Sequence, residues 1–353
     1  MASRETTYEL FRRSGVSRRD FLKYSTLLTA TLGLDASFAP EVARALETKP
    51  RVPVLWLEFQ DCAGCTESFT RSSSPLASDL VLNTISLDYH ETLQAAAGFQ
   101  AEAAKEATIK KYNGEYVLLV DGAVTPEEGG GYCTIGGKSN MDLLREAAAG
   151  AKAIIAVGTC SSFGGIQAAK PNPTGAIPVH EVIKDKAVVN VPGCPPIPAV
   201  ITGTIMSVLV FGKIPDLDDL GRPKVFYGNT IHDKCYRRSF YDQGKFAKSF
   251  DDEGARKGYC LYELGCKGPT TYNACATVKW NDGLSFPIQS GHGCLGCSEP
   301  NFWDKGSFYQ AISTPLGTAG TIALAAAGVG VAVGAGLALK ARRDREKAAE
   351  ASK

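Results

Sequence analysis

Three short apolar runs, each leading into a cysteine-bearing turn, constrain this chain more than any other feature of its sequence. Val52 to Leu57 leads into Cys62-Ala63-Gly64-Cys65, Ala153 to Val157 into Gly158-Thr159-Cys160, and Val188 to Val191 into Pro192-Gly193-Cys194. Apolar runs of this length, bounded by turn residues, read as buried strands. In an open parallel sheet the loops leaving the carboxyl ends of the strands gather on one edge, where ligands bind. Three strands would therefore bring four sulfurs to one place. Four is the ligand count of a cubane iron–sulfur cluster or an all-thiolate zinc.

The remainder of residues 46–221 alternates short apolar runs with helical stretches. Tyr116 to Val120 reads as a further strand, ending in Asp121-Gly122. Ala95 to Lys110, Met141 to Ala149 and Ile197 to Phe211 read as helices, as does the stretch after the first cysteine pair through Thr70; Asp79 to Leu87 fits neither pattern. Strand–helix alternation implies an α/β fold with a doubly wound parallel sheet. Beyond Arg222 the texture changes to Gly, Pro, aromatics and Cys. Residues 222–313 are expected to form a small irregular domain stapled by metal centres, because their apolar runs are too short for a conventional core.

Eleven cysteines in 353 residues call for an account. Four belong to the strand-end turns. His232 and Cys235 are followed by Cys260 and Cys266, one imidazole and three thiolates able to hold a cluster or a zinc. Cys275 is followed by Cys294-Leu295-Gly296-Cys297, three thiolates without a neighbouring fourth. That count suits a three-iron cluster and is poor for structural zinc. Cys133, in a Gly-rich loop, is left over. An odd total and the placement at strand ends argue against a disulfide framework.

The two ends carry signals of another kind. Ser17-Arg18-Arg19-Asp20-Phe21-Leu22-Lys23, the apolar Tyr24 to Leu34 and the small-residue signal Ala43-Arg44-Ala45 read as a twin-arginine export signal. Residues 1–45 are accordingly set outside the fold. Residues 318–340 read as a membrane helix. Its uncharged stretch, Ala319 to Leu339, spans roughly 30 Å at about 1.5 Å per residue. Gly330 and Gly334 give it a small-xxx-small face suited to another membrane helix. Lys340, Arg342, Arg343 and Arg345 open a basic tail, 341–353, that argues for the cytoplasmic side. The body would then lie on the periplasmic side of the cell membrane. A formal net charge of +1 offers no field for nucleic acid.

With these residues in view, the chain resembles the small subunit of membrane-bound nickel–iron hydrogenases. The resemblance rests on Cys62-Ala63-Gly64-Cys65-Thr66-Glu67, Gly158-Thr159-Cys160, Pro192-Gly193-Cys194-Pro195-Pro196, His232-Asp233-Lys234-Cys235 and the run from Gly291 through Cys294 and Cys297 to Asp304. It implies a flavodoxin-like amino domain without flavin. It implies a proximal 4Fe–4S cluster on Cys62, Cys65, Cys160 and Cys194. Cys275, Cys294 and Cys297 would hold a medial 3Fe–4S cluster, with Pro287 beside its missing corner. His232, Cys235, Cys260 and Cys266 would hold a distal 4Fe–4S cluster. Hydrogen would be split at a nickel–iron centre on a partner large subunit, with no catalytic residue on this chain. Electrons would leave for a membrane cytochrome b or other quinone-linked subunit. Oxygen-tolerant relatives carry two further cysteines, at positions that are Gly64 and Gly165 here, so the chain resembles the standard, oxygen-sensitive type. Two other readings remain at this point. One is the related single-cluster subunit of respiratory complex I, which has adjacent cysteines in its first motif and no second cluster domain. The other is an exported, membrane-anchored binding protein held by zinc or disulfides, without a redox role.

Overall fold

The apolar runs pair as expected from their composition. In the computed structural model, which describes residues 5–212 and 214–306, β1 (Val52–Glu58), β2 (Ile85–His90), β3 (Val117–Asp121), β4 (Ala153–Val157) and β5 (Val188–Val191) form one parallel sheet. The strand order is β2-β1-β3-β4-β5, the flavodoxin-like doubly wound order. Side chains alternate between the two faces of each strand, so both faces of a buried sheet need apolar residues. Val54, Trp56, Leu119, Ile155 and Val189 pack on one face. Leu55, Leu57, Leu118, Val120 and Ile154 pack on the other.

The helices α4 (Gly64–Thr70), α5 (Phe99–Lys111), α6 (Asn140–Ala149) and α7 (Gly158–Phe163) lie between successive strands, and α8 (Pro198–Phe211) follows the last. Ser139 caps α6 by accepting from the Asp142 N–H at 3.2 Å, and Pro198 opens α8, where its missing N–H costs nothing. Asp79 to Leu87, which matched neither period, holds a five-residue π turn, Leu80–Thr84, followed by the start of β2. β2 is one of the two edge strands, and its half-buried Ser86, Leu87 and Asp88 blur the apolar signal.

Residues expected to lie outside the fold form three helices here, α1 (Thr7–Arg13), α2 (Arg18–Thr31) and α3 (Ala39–Thr48). Phe21, Leu28 and Val42 are fully buried and belong to the same apolar cluster as the first sheet face. The physical reason is a helical apolar spacing that a short export segment shares with a packed helix. From 224 to 306 no helix exceeds five residues among the described residues. Phe226, Leu261, Phe286 and Ile288 join the first sheet-face cluster together with Cys266, Cys275 and Cys294. The membrane helix expected at 318–340 lies outside the described residues, and among the described residues no helix is long and apolar enough to cross a membrane.

Ile155 sits at the middle of β4 with no exposed surface. Ile155→Ala is expected to destabilise the fold by about 2–5 kcal/mol, read as a lowered midpoint in urea denaturation with an unchanged slope.

Candidate metal centre

The strand register decides where the first four cysteines fall. Glu58 pairs with Asp121, Asp121 with Val157 and Val157 with Val191, so four strands end on one line. Cys62 and Cys65 leave β1, Cys160 leaves β4 and Cys194 leaves β5, all on that edge. Their thiols are close enough that each charge would disfavour the next. Burial raises the Cys65 thiol well above its usual range, with Asp121, Cys160 and Cys194 adding to it. Burial likewise pushes Cys160 to about 11 and Cys194 to about 12, and in both cases Cys62 adds repulsion.

Two glycines make the cradle possible. A Cβ on Gly158 would stand 2.5 Å from the Cys65 sulfur, and one on Gly165 2.6 Å from the Cys160 sulfur. Both have positive φ, of +89° and +63°, so a side chain at either is barred by backbone as well as by space. The Gln167 amide and the Ile166 N–H face the Cys160 sulfur and counter part of its upward shift.

The second group gathers in the irregular region. His232, Cys235, Cys260 and Cys266 line one small cavity, together with Arg237, Tyr262 and Ile288. The half-buried His232 ring sits edge-on to Tyr241 at 4.5 Å. Burial, then the nearby Arg238 charge, lowers its pKa, which favours the neutral imidazole with one ring nitrogen free to ligate. Burial pushes Cys260 up to about 11. The third group is Cys275, Cys294 and Cys297. Burial raises Cys275 to about 12, with Cys297 adding repulsion. The Trp280 indole faces the Cys275 sulfur, and the Gly296 N–H donates to Cys294 Sγ at 3.3 Å.

Consecutive groups touch. The Cys294 N–H donates to Cys266 Sγ at 3.3 Å. The Cys194 amide faces the Cys297 sulfur. Thr159 ties the same junction: its hydroxyl accepts from Gly193 N–H at 2.8 Å and donates to the Cys297 carbonyl. All eleven cysteines are free thiols, which leaves no disulfide framework. Cys133 joins none of the three groups; it packs half-buried beside the second sheet-face cluster, and burial raises its thiol to about 11.

Several residues around the first group gave no signal in the sequence. Oxygen atoms of Glu58, Asp61 and Asp121 lie within 4.8 Å of one another beside it. Burial, then the Asp61 charge, pushes Asp121 up to about 8. His90, unremarkable in the sequence, is fully buried, and burial lowers it to about 4. Its ring stands 3.7 Å from Glu58. Only Asp121 had a sequence signal, its place at a strand end before Gly122.

Ten cysteines and one histidine in sets of four, four and three, ten soft thiolates and one imidazole, fit iron–sulfur clusters. Residues 227–310 match the family model for the C-terminal part of the NiFe/NiFeSe hydrogenase small subunit. Residues 62–208 match the model for the NADH ubiquinone oxidoreductase 20 Kd subunit. The chain is 60% identical over 314 residues to the uptake hydrogenase small subunit of Azotobacter vinelandii, covering 89% of this chain and 88% of that one. It is 55% identical over 331 residues to the hydrogenase-1 small chain of Escherichia coli strain K12, covering 92% and 89%. Among solved structures, the H2-activated [NiFeSe]-hydrogenase of Dm. baculatum matches with TM-score 0.70 at 37% identity, over 75% of this chain and 100% of that chain.

Two outcomes follow from this geometry. Gly158→Ala forces a methyl group onto the Cys65 sulfur, so iron content is expected to fall by the share of one cluster, measured by metal and sulfide analysis. Glu91 accepts from the Glu58 N–H at 2.5 Å, and burial, with the Glu58 charge adding to it, pushes its carboxyl from 4.5 to about 8. A raised folded-state pKa contributes stability that is full below pH 4.5 and is lost as pH rises through about 8. Thermal midpoints should therefore fall less across that window in Glu91→Gln than in the unaltered protein.

Proposed function

This chain belongs to the small-subunit family of nickel–iron hydrogenases, whose active site is on the large subunit, and from that premise we propose that it conducts electrons between that subunit and a membrane acceptor. Cys62, Cys65, Cys160 and Cys194 would hold a proximal 4Fe–4S cluster, Cys275, Cys294 and Cys297 a medial 3Fe–4S cluster, and His232, Cys235, Cys260 and Cys266 a distal 4Fe–4S cluster. When bound, these clusters would supply a series of one-electron carriers. The observation that carries the reading is the contact between successive donor sets, Cys194 against Cys297 and Cys294 against Cys266.

The protein's own part is to hold, order and insulate. Cys62 and Cys194 are exposed at the sheet edge, which suits the proximal set to a face covered by the large subunit. His232 stands beside exposed Asp233 and Lys234, which suits the distal set to the exit. An imidazole is a neutral ligand, and replacing a thiolate with it lowers the cluster's negative charge and tunes its potential. The three-thiolate set leaves one cubane corner without a protein ligand, and the family's apolar residue at that corner would be Pro287, which is exposed between buried Phe286 and Ile288. Gly64 and Gly165 support the oxygen-sensitive type. A Cβ at either would stand 3.1 Å from Cys62 Sγ or 2.6 Å from Cys160 Sγ, and neither position here supplies the additional thiol.

The acceptor we propose is a cytochrome b-type or other quinone-linked membrane subunit, reached through the expected helix at 318–340 after export by the twin-arginine pathway and cleavage near Ala45. The reading is tested on the heterodimer solubilised from membranes. Low-temperature EPR should show an oxidised three-iron signal that disappears under hydrogen, with nickel, iron and sulfide co-purifying. A preparation containing zinc and no sulfide overturns it.

A further inference from the structure

One buried cation stands where two of the thiol sets meet, and the electron-carrier reading gives it no part. Lys267 directly follows Cys266 and has only 2% of its surface exposed. Its backbone N–H donates to the Cys294 carbonyl at 2.8 Å, and the Cys294 N–H donates back to Cys266 Sγ at 3.3 Å. The two segments thus lie side by side. The side-chain stem runs along the Cys294–Cys297 turn, where a Cβ on Gly296 would meet Lys267 Cδ at 3.3 Å. Gly293 closes the other side, with a Cβ there 2.9 Å from Cys266 Cα. Neither glycine position leaves room for a side chain between the segments.

A buried ammonium is stable only beside compensating negative charge. Burial lowers the Lys267 pKa, and the Cys294 and Cys266 thiolates, one from each set, are the negative groups that oppose it.

We propose that Lys267 is a positioning and charge-setting residue shared by the medial and distal sets, raising the reduction potential of both. The inference rests on the cluster assignment proposed above. Each cluster gains one negative charge on accepting an electron, so a fixed positive charge nearby favours its reduced form. The proximal set, formed at the sheet edge by other loops, receives no such help. A lysine acting on two carriers and not the third leaves the step between those two unchanged and draws electrons away from the first.

The experiment is a redox titration followed by EPR on the purified heterodimer, comparing the unaltered protein with K267M and K267R. K267M keeps an unbranched stem and removes the charge. Expected is a fall of about tenfold in the reduced-to-oxidised ratio of both medial and distal clusters at a fixed potential, about 59 mV for one electron, with the proximal cluster unmoved. K267R should restore both. The proposal is overturned if K267M shifts neither cluster, if all three shift alike, or if K267R shifts them as K267M does, which would mark a packing role. Should K267M fail to assemble, the unaltered heterodimer labelled with 15N-lysine decides the matter. Electron–nuclear double resonance on the oxidised three-iron signal should show a lysine nitrogen, and its absence overturns the proposal. An unaltered heterodimer without any iron–sulfur signal defeats the cluster assignment itself, so the two failures are distinguishable.

Discussion

The backbone pairing that aligns the ends of β1, β3, β4 and β5 is the constraint on which the thiol-bearing edge depends. Each residue of a strand fixes the height of its partner, and Glu58, Asp121, Val157 and Val191 share one level across the sheet. The turns that follow are short, so Cys62, Cys65, Cys160 and Cys194 have little freedom to miss one another. A one-residue slip of any strand would turn every side chain to the opposite face. The apolar residues of both faces therefore hold the register, and the register holds the sulfurs. The donor set is a by-product of core packing.

That placement opposes the thiols' own preference. Taken from water and set beside one another, they resist ionisation, and burial is the first cause of the rise in every shifted cysteine of the three groups. Metal binding needs the thiolate, so it must release protons and supply the charge that burial withholds. The protein moderates the cost with N–H groups aimed at sulfur, among them Gly296 toward Cys294 and Cys294 toward Cys266. These bonds favour the charged form, and the same bonds join one group to the next. Folding and metal loading are thereby coupled in this chain.

The sheet and its cysteine turns were legible in the sequence because both signals are local. Val52 to Leu57 is an unbroken apolar run, and a cysteine pair follows it within a few residues. The edge strand β2 was not legible, since Ser86, Leu87 and Asp88 are only half-buried and a π turn precedes them. The packing of α1 to α3 escaped for a different reason. An export segment and an amphipathic helix share the same apolar spacing, and the burial of Phe21 rests on tertiary contacts that the spacing does not encode. The grouping of cysteines by set followed from spacing and family resemblance. The supporting polar residues did not: Glu58, His90 and Lys267 give no sign of their roles until distant segments enclose them. Buried polar groups are selected by what the fold brings to them, and that is long-range information.

The junctions between groups argue that the order of the three sets is built into the backbone. Thr159 belongs to the turn of Cys160, accepts from the turn of Cys194 and donates to the carbonyl of Cys297. Lys267 repeats the pattern one step on, from the residue after Cys266 to the carbonyl of Cys294. In both places a residue adjacent in sequence to one cysteine bonds the main chain of a cysteine in the next group. Covalent bonds and single hydrogen bonds thus connect the sheet edge to the outermost cavity without a gap. Separations between the sets are then set by secondary structure and short turns, which vary little, instead of by side-chain rotamers, which vary freely. Spacing fixed in this way survives changes of surface residue and loop composition. It would fail first at the glycines that let the segments approach, Gly158 and Gly293.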